Sequence, residues 1–249
     1  MNQTIETILR HRSIRKFKDI PLTDEQIRTI VKAAQSASTS SFIQAYSIIG
    51  VTDQAKKEKL AEVVGNQPYV AKNGHFFVFC ADLYRHEQIA NWKEGNVLES
   101  IESTEKFMVA LIDAALAAQN AAIAAESLGL GICFIGGIRN QLYEVQNILK
   151  TPKRVIPLFG LAVGVPDQAP ERKPRLPLEH VYHENSYDTD VNKMKEQLEE
   201  YDQIIKMYYE TRTSGKRKDT WTEQMMRMLE NKRRMYMKAF VEEKGFNRR

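Results

Sequence analysis

The stretch from residue 103 to 128 constrains the fold more than any other part of the chain. It is rich in alanine and apolar on most of its sides. A helix of that kind is buried, either under a sheet or in an interface between subunits. The surrounding run from Phe107 to Gly131 also comes nearest to a membrane span, but it carries Asp113 and Glu126. No run of eighteen uncharged apolar residues exists, so no helix is expected to cross a bilayer.

The strands for such a helix to cover are legible around it. Tyr46 to Val51 reads as a strand. Phe76 to Ala81 is apolar on both faces and reads as a central one. Ile132 to Ile135 and Val155 to Val163 read as two further buried strands. Helices are expected over 3–10, from Thr23 onward, over 54–64 and over 140–150. At Thr23 the signals are explicit: an N-cap, then Asp24 and Glu25 in the first turn, then Ile27, Ile30 and Val31 at helical spacing. Mixed helices and strands in this order imply an α+β core in three layers. With 249 residues, 43% hydrophobic and 27% charged, the chain has enough apolar surface for a core, and whole-chain disorder or a fibre is excluded.

After Gly164 the pattern changes. Prolines 166, 170, 174 and 177 force an extended, ordered excursion. From Val191 onward only helical patterns remain, broken at Thr213-Ser214-Gly215 and holding seven of the nine methionines. Methionine suits adaptable packing surfaces. The expected organisation is therefore a core over 1–190 and a helical extension over 191–249, integrated into one domain, with the extension packed on a second subunit.

The net charge of +4 is unevenly placed. From Ile205 to the end there are 13 basic and 6 acidic residues, and the other 204 residues sum to −3. A basic tail fits nucleic acid, an anionic small molecule or a solvated helical surface. Cys80 and Cys133 both sit in apolar runs and read as reduced core thiols. The N-terminus has no apolar run followed by a small-residue cleavage site, so a cytoplasmic protein is expected.

Several chemistries lack their residues. His180 and His183 are three apart, but no carboxylate or cysteine completes a metal set beside them, so no metal site is expected. There is no Gly-x-Ser-x-Gly elbow and no P-loop, and Gly129-x-Gly131 does not continue into a dinucleotide fingerprint. Three clusters of donors remain. His11-Arg12-Ser13-Ile14-Arg15-Lys16-Phe17 offers forks and a hydroxyl suited to phosphate, or else a plain basic helix terminus. Ser36 to Ser41 is a run of small residues rich in hydroxyls, and Lys173-Pro174-Arg175-Leu176-Pro177 holds two cations on a stiff segment. None supplies a nucleophile–base pair. Together they describe a chain that holds a large anion and leaves the reaction to a cofactor, so no side chain is expected to be catalytic.

Near its start the chain carries His11-Arg12-Ser13-Ile14-Arg15-x-Phe17, followed by Ile135-Gly136-Gly137-Ile138-Arg139-Asn140 and Pro157-Leu158-Phe159-Gly160. Further on come Lys173-Pro174-Arg175-Leu176-Pro177, His183-Glu184-Asn185-Ser186-Tyr187, Tyr208-Tyr209-x-Thr211-Arg212 and Arg217-x-Asp219-Thr220-Trp221. In these motifs the chain resembles the FMN-dependent nitroreductase superfamily, in the group of NADPH-dependent oxygen-insensitive nitroreductases and flavin reductases. The resemblance implies a nitroreductase-like fold with a mostly antiparallel central sheet, and FMN as cofactor. It assigns His11, Arg12, Ser13, Arg15, Thr39, Gln67, Tyr69, Gly136, Gly137, Lys173 and Arg175 to FMN. One cation among Arg15, Lys173 and Arg175 is expected at the N1/O2 edge of the ring, and Gly136 and Gly137 are expected to let the backbone approach it. Arg212 and Arg217 are assigned to the 2′-phosphate of NADPH, on a loop kept mobile by Thr213-Ser214-Gly215. Ser41, Phe42, Arg139 and Arg234 are assigned to the pocket of the second substrate. The implied activity is ping-pong transfer of two electrons from NADPH to small acceptors: nitroaromatics, quinones, azo compounds or free flavin. The alternative within the resemblance is a carrier that supplies reduced FMN to a monooxygenase. The basic tail is then explained by NADPH, without nucleic acid, and the buried faces by a homodimer.

Overall fold

A computed structural model describes residues 1–249. The helices are α1 (Gln3–Leu9), α2 (Asp24–Gln35), α3 (Gln54–Val63), α4 (Pro68–Ala71), α5 (Tyr84–Trp92), α6 (Leu98–Ile101), α7 (Thr104–Ser127), α8 (Leu142–Leu149), α9 (Val191–Arg212), α10 (Trp221–Glu230) and α11 (Met237–Glu243). The strands are β1 (Tyr46–Val51), β2 (His75–Asp82), β3 (Gly131–Ile135) and β4 (Val155–Gly164). Two compact units emerge: residues 1–170 with 234–249, and residues 171–233.

In the first unit the strands lie in the order β1-β2-β4-β3, every neighbouring pair antiparallel. The expected α+β architecture is present. The strand β2 is buried along its whole length, which is why its sequence shows no alternation. Helix α7 packs against all four strands and against α2. Alanines 110, 114, 117, 118, 121, 122 and 125 are buried on it, and their small side chains allow that close approach. By length and composition alone α7 is long and apolar enough to cross a membrane, a test that a buried core helix also passes. In the fold its alanine face covers the sheet instead, and Asp113 within it is fully buried.

A proline sits inside the central strand β4, where it cannot donate to a ladder. The register explains its place. Phe79 faces Phe159, but Cys80 faces Pro157, so Leu158 is an extra, bulged residue. The carbonyl of Leu158 accepts a hydrogen bond from Arg139 Nη1 at 2.6 Å.

The domain boundary differs from the expected 190/191. It falls at 170/171, and the last sixteen residues return to the first unit. Phe240 and Phe246 are fully buried in the main core there. Arg154, also fully buried, explains the anchorage. Its Nε donates to Glu87 at 2.9 Å and its Nη2 to Glu102 at 3.2 Å, while Nη1 donates to the carbonyl of Gly245. Glu102 also takes Arg248 at 3.2 Å. A fully buried guanidinium is stable only when its donors are satisfied in this way. This part of the tail therefore packs on its own chain, where the sequence placed it on a second subunit.

The second unit has a small core of its own: Tyr201, Ile205 and Tyr209 on α9, with Leu176, Tyr208 and Trp221 against them. Helix α10 starts with a capping box between Thr220 and Glu223. The buried Asp202 ties the helices together by accepting from the backbone N–H of Thr222 at 3.0 Å and from its hydroxyl.

One buried group makes the first unit sensitive to acid. His75, at the start of β2, is 5% exposed, its ring lies 4.3 Å from that of Phe77, and its Nε2 has no partner. Burial, helped by the charge on Lys57, pulls its pKa from 6.5 down to about 4. The unfolded chain takes up a proton that the folded chain refuses. This contribution is therefore complete above the unfolded pKa and is lost as pH falls toward the folded one. Thermal unfolding should show a loss of roughly 2–3 kcal/mol over that window, flattened in His75→Phe. A variant with the same acid slope as the parent would contradict this assignment.

Candidate functional site

The opening cluster is fixed to the edge strand β3. Ser13 bridges Ile132, the N–H of Ile14 donates to the carbonyl of Ile132 at 2.8 Å, and Ile14 is buried. Gly131 is required beneath it, since a Cβ there would stand 2.7 Å from Ile14. With Ile14 held inward, its neighbours face outward. Arg12 and Arg15 are exposed and make no ion pair. His11 is half-buried, with Nδ1 2.8 Å from Oε1 of Glu126 at the end of α7.

Arg15 connects this cluster to the next. It hydrogen-bonds the hydroxyl of Tyr69. That hydroxyl donates to Gln67 Oε1 at 2.6 Å, and Gln67 Nε2 donates to the carbonyl of Val64 at 2.9 Å. Burial raises the pKa of Tyr69, so the phenol is a neutral donor at ordinary pH. The chain of contacts reaches Gly137, where a Cβ would stand 2.5 Å from the carbonyl of Val64 and 2.9 Å from Gln67 Nε2. The structure thus brings together Arg15, Gln67, Tyr69 and Gly137. It also gives Gly137 a different reason from the expected one, because packing against Val64 and Gln67 already excludes a side chain. A Cβ at Gly136 would meet only the flexible end of Arg139, at 3.2 Å.

Thr39, Ser41 and Phe42 share the loop between α2 and β1. Three residues of it are left-handed without being glycine: Ser41 (φ 48°), Phe42 (φ 58°) and Gln44 (φ 54°). What holds it is Asp113. This carboxylate accepts from the N–H of Ser40 at 3.1 Å and from that of Ala45 at 2.9 Å, spanning the strained segment. Phe42 is left 82% exposed at the tip, and the Thr39 hydroxyl makes no hydrogen bond. Sequence reasoning missed Asp113. Its one signal was a lone carboxylate in an otherwise apolar helix face.

Arg139 and Arg234 sit elsewhere, around the turn after β3. Burial and the neighbouring Arg234 lower the pKa of Arg139, whose guanidinium is turned onto Leu158. Arg234 donates to Asn140 Oδ1 at 2.8 Å, and Tyr236 donates to the carbonyl of Arg139 at 2.9 Å.

In the second unit, Lys173 and Arg217 meet on one ring. Lys173 Nζ lies 5.3 Å and the Arg217 guanidinium 3.8 Å from the centre of Tyr209. Arg217 is aimed by Asp219 at 2.7 Å and Gln224 at 2.8 Å, while Nη1 has no partner. Arg217 and then Arg227 hold the Asp219 carboxyl below its ordinary range, against a smaller desolvation. Arg212 closes α9, exposed, with Nη1 donating to Tyr208 at 2.5 Å. The intervening segment is a hydrogen-bonded turn. Ser214 and Gly215 are left-handed, Gly215 N–H donates to the carbonyl of Glu210 at 2.8 Å, and Thr213 Oγ1 receives the N–H of Arg217 at 2.9 Å. Arg175 is exposed beside these groups in sequence.

The first donor set has the chemistry of phosphate binding: Arg12 and Arg15 are forked cations without carboxylate partners, next to Ser13 and His11. In the second set Arg212 has no carboxylate partner, while Arg217 is held by Asp219. The first unit's set fits the phosphate of a flavin mononucleotide. Fold and donors together define an α+β protein built to hold organic phosphates. The chain belongs to the nitroreductase family: residues 8–165 match the nitroreductase family model and residues 173–249 the model of its C-terminal domain. It is 59% identical over 248 residues to the FMN reductase (NADPH) of Bacillus subtilis, covering 100% of each chain. Among solved structures it is similar to the NfrA1 nitroreductase of B. subtilis, with a TM-score of 0.98, 58% identity and coverage of 99% and 100%. It is also similar to the NADPH:FMN oxidoreductase of Vibrio harveyi complexed with NAD+, with a TM-score of 0.90, 41% identity and full coverage of both chains.

Proposed function

We propose that the chain is an NADPH-dependent, FMN-containing oxidoreductase that reduces small planar acceptors: nitroaromatics, quinones, azo compounds or free flavin. The observation that carries this reading is full-length similarity to an FMN reductase (NADPH), joined to two phosphate-type donor sets. FMN, when bound, supplies the two-electron chemistry, taking a hydride from NADPH and passing it to an acceptor after NADP+ has left. The chain's own residues bind and orient. His11, Arg12, Ser13 and Arg15 hold the flavin phosphate. Tyr69 and Gln67 keep Arg15 in place. Gly137 lies against Gln67, and Thr39, Gly136, Lys173 and Arg175 join the flavin set on the family motif alone. Arg212 and Arg217 take the 2′-phosphate of NADPH, with Arg217 already oriented by Asp219 and Gln224. The loop carrying Ser41 and Phe42, together with Arg139 and with Arg234, which bonds Asn140, lines the acceptor pocket. Acceptors need no side-chain acid, since water supplies the proton. We read the chain as cytoplasmic.

A homodimer completes the reading. Met108, Ile112 and Leu116 are 52%, 50% and 44% exposed, four residues apart on α7. Such a stripe is an apolar face awaiting a partner. Sedimentation at low micromolar concentration should give a dimer, and a stable monomer replete with flavin would contradict it.

The phosphate clamp separates this reading from a bland basic loop. Arg212→Ala should raise KM for NADPH about tenfold to a hundredfold, the loss of a hydrogen bond to a charged group. KM for NADH should hardly move. Turnover at saturation should stay nearly constant, because the 2′-phosphate contributes uniform binding. Equal losses with both coenzymes would leave Arg212 a structural residue. Steady NADPH oxidation without added protein separates the oxidoreductase from a carrier that waits for a monooxygenase.

A further inference from the structure

Helix α7 has no basic residue in its last turn and carries Glu126 there instead. A helix C-terminus presents unpaired carbonyls and a partial negative charge, so a carboxylate is misplaced on dipole grounds. Nor is it released to water. The side chain is 15% exposed, and its one ionic partner is His11, with Nδ1 2.8 Å from Oε1. The His11 side chain is 28% exposed. A carboxylate accepts and does not donate, so Nδ1 is the protonated nitrogen and Nε2 is the atom the ring offers elsewhere. That atom belongs to the segment where Arg12 and Arg15 stand exposed without ion pairs.

We infer that Glu126 is a positioning residue for the flavin phosphate: by holding His11 through Nδ1, it makes Nε2 the nitrogen offered to that phosphate, and so makes the site prefer FMN over riboflavin. The inference rests on the reading of residues 11–15 as the flavin phosphate site. A phosphate oxygen requires a donor at Nε2, and the doubly protonated ring then lies between two anions, Glu126 and the phosphate. The arrangement is the one by which an outer partner fixes the plane of a binding histidine. It also explains a carboxylate at the wrong end of a helix: Glu126 is placed for His11, and the helix tolerates it.

The test is a fluorescence titration of the full-length chain with FMN and with riboflavin. The variants are Glu126→Ala, Glu126→Gln, Glu126→Asp, His11→Ala and the double variant His11→Ala with Glu126→Ala. Glu126→Ala should weaken FMN about tenfold and leave riboflavin within about twofold. Glu126→Gln, whose amide oxygen still accepts from Nδ1, should keep most of the FMN affinity. Glu126→Asp, too short to reach Nδ1, should lose it as the alanine variant does, which keeps the test alive if the alanine variant fails to fold. In the His11→Ala background the Glu126→Ala change should add nothing. Equal weakening of both flavins, or an undiminished loss in that background, would overturn the inference and make Glu126 a structural residue. Unchanged FMN affinity in both Glu126→Ala and Glu126→Asp would overturn it as well. If the parent binds FMN and His11→Ala has no effect, the inference falls while the flavin reading stands. If the parent binds neither flavin, the flavin reading itself falls.

Discussion

Everything in the first unit depends on how closely α7 approaches the sheet. Its alanines let one 24-residue helix lie across four strands. That contact fixes where two carboxylates stand, Asp113 fully buried and Glu126 half-buried. Asp113 emerges under the loop between α2 and β1, and Glu126 under the segment that follows α1. The apolar packing therefore does more than close a core. It places charge, and the placed charges shape the segments that carry the donors. A strained loop such as 41–44 persists only when its surroundings over-determine it. Asp113 supplies that determination with two charge-assisted bonds to backbone N–H groups.

The edge strand β3 is the second support. It receives Ile14 on one side and leads directly into Gly136 and Gly137. The bulge at Leu158 in the neighbouring strand then captures Arg139. Each deviation from regular structure in this region is thus tied to a residue of the candidate site. The second unit uses a different device, a helix end. Helix α9 finishes at Arg212, a Thr213 turn reverses the chain, and Asp219 aims Arg217 across the face of Tyr209.

Much of this was legible in the sequence, for physical reasons. All four strands and the long helix were readable to within a residue or two; in β2 and β4 a chain buried on both faces has no polar positions to confuse the pattern. Helices α5 and α6 were not, since both start without a side-chain cap and have only short apolar faces. The return of residues 234–249 to the first unit was hidden too. Phe240 and Phe246 announce burial but not in which core, and only the pairing of Arg154 with Glu87, Glu102 and Gly245 decides it. At the site, the donor-bearing residues were visible from motif. Their supports were not: Asp113 and Glu126 looked like interruptions of an apolar helix, and the contact of Gly137 with Val64 and Gln67 links residues far apart in sequence.

If this chain holds FMN and NADPH reduces it there, the flavin itself reports both. The direct measurement is the visible absorption spectrum of the purified protein, after loading with FMN and removal of unbound flavin, followed as NADPH is added without oxygen. The account predicts stoichiometric flavin absorption that bleaches on NADPH addition and returns when a quinone is supplied. A protein that retains no flavin, or one whose flavin absorption stays unchanged with NADPH, would contradict it.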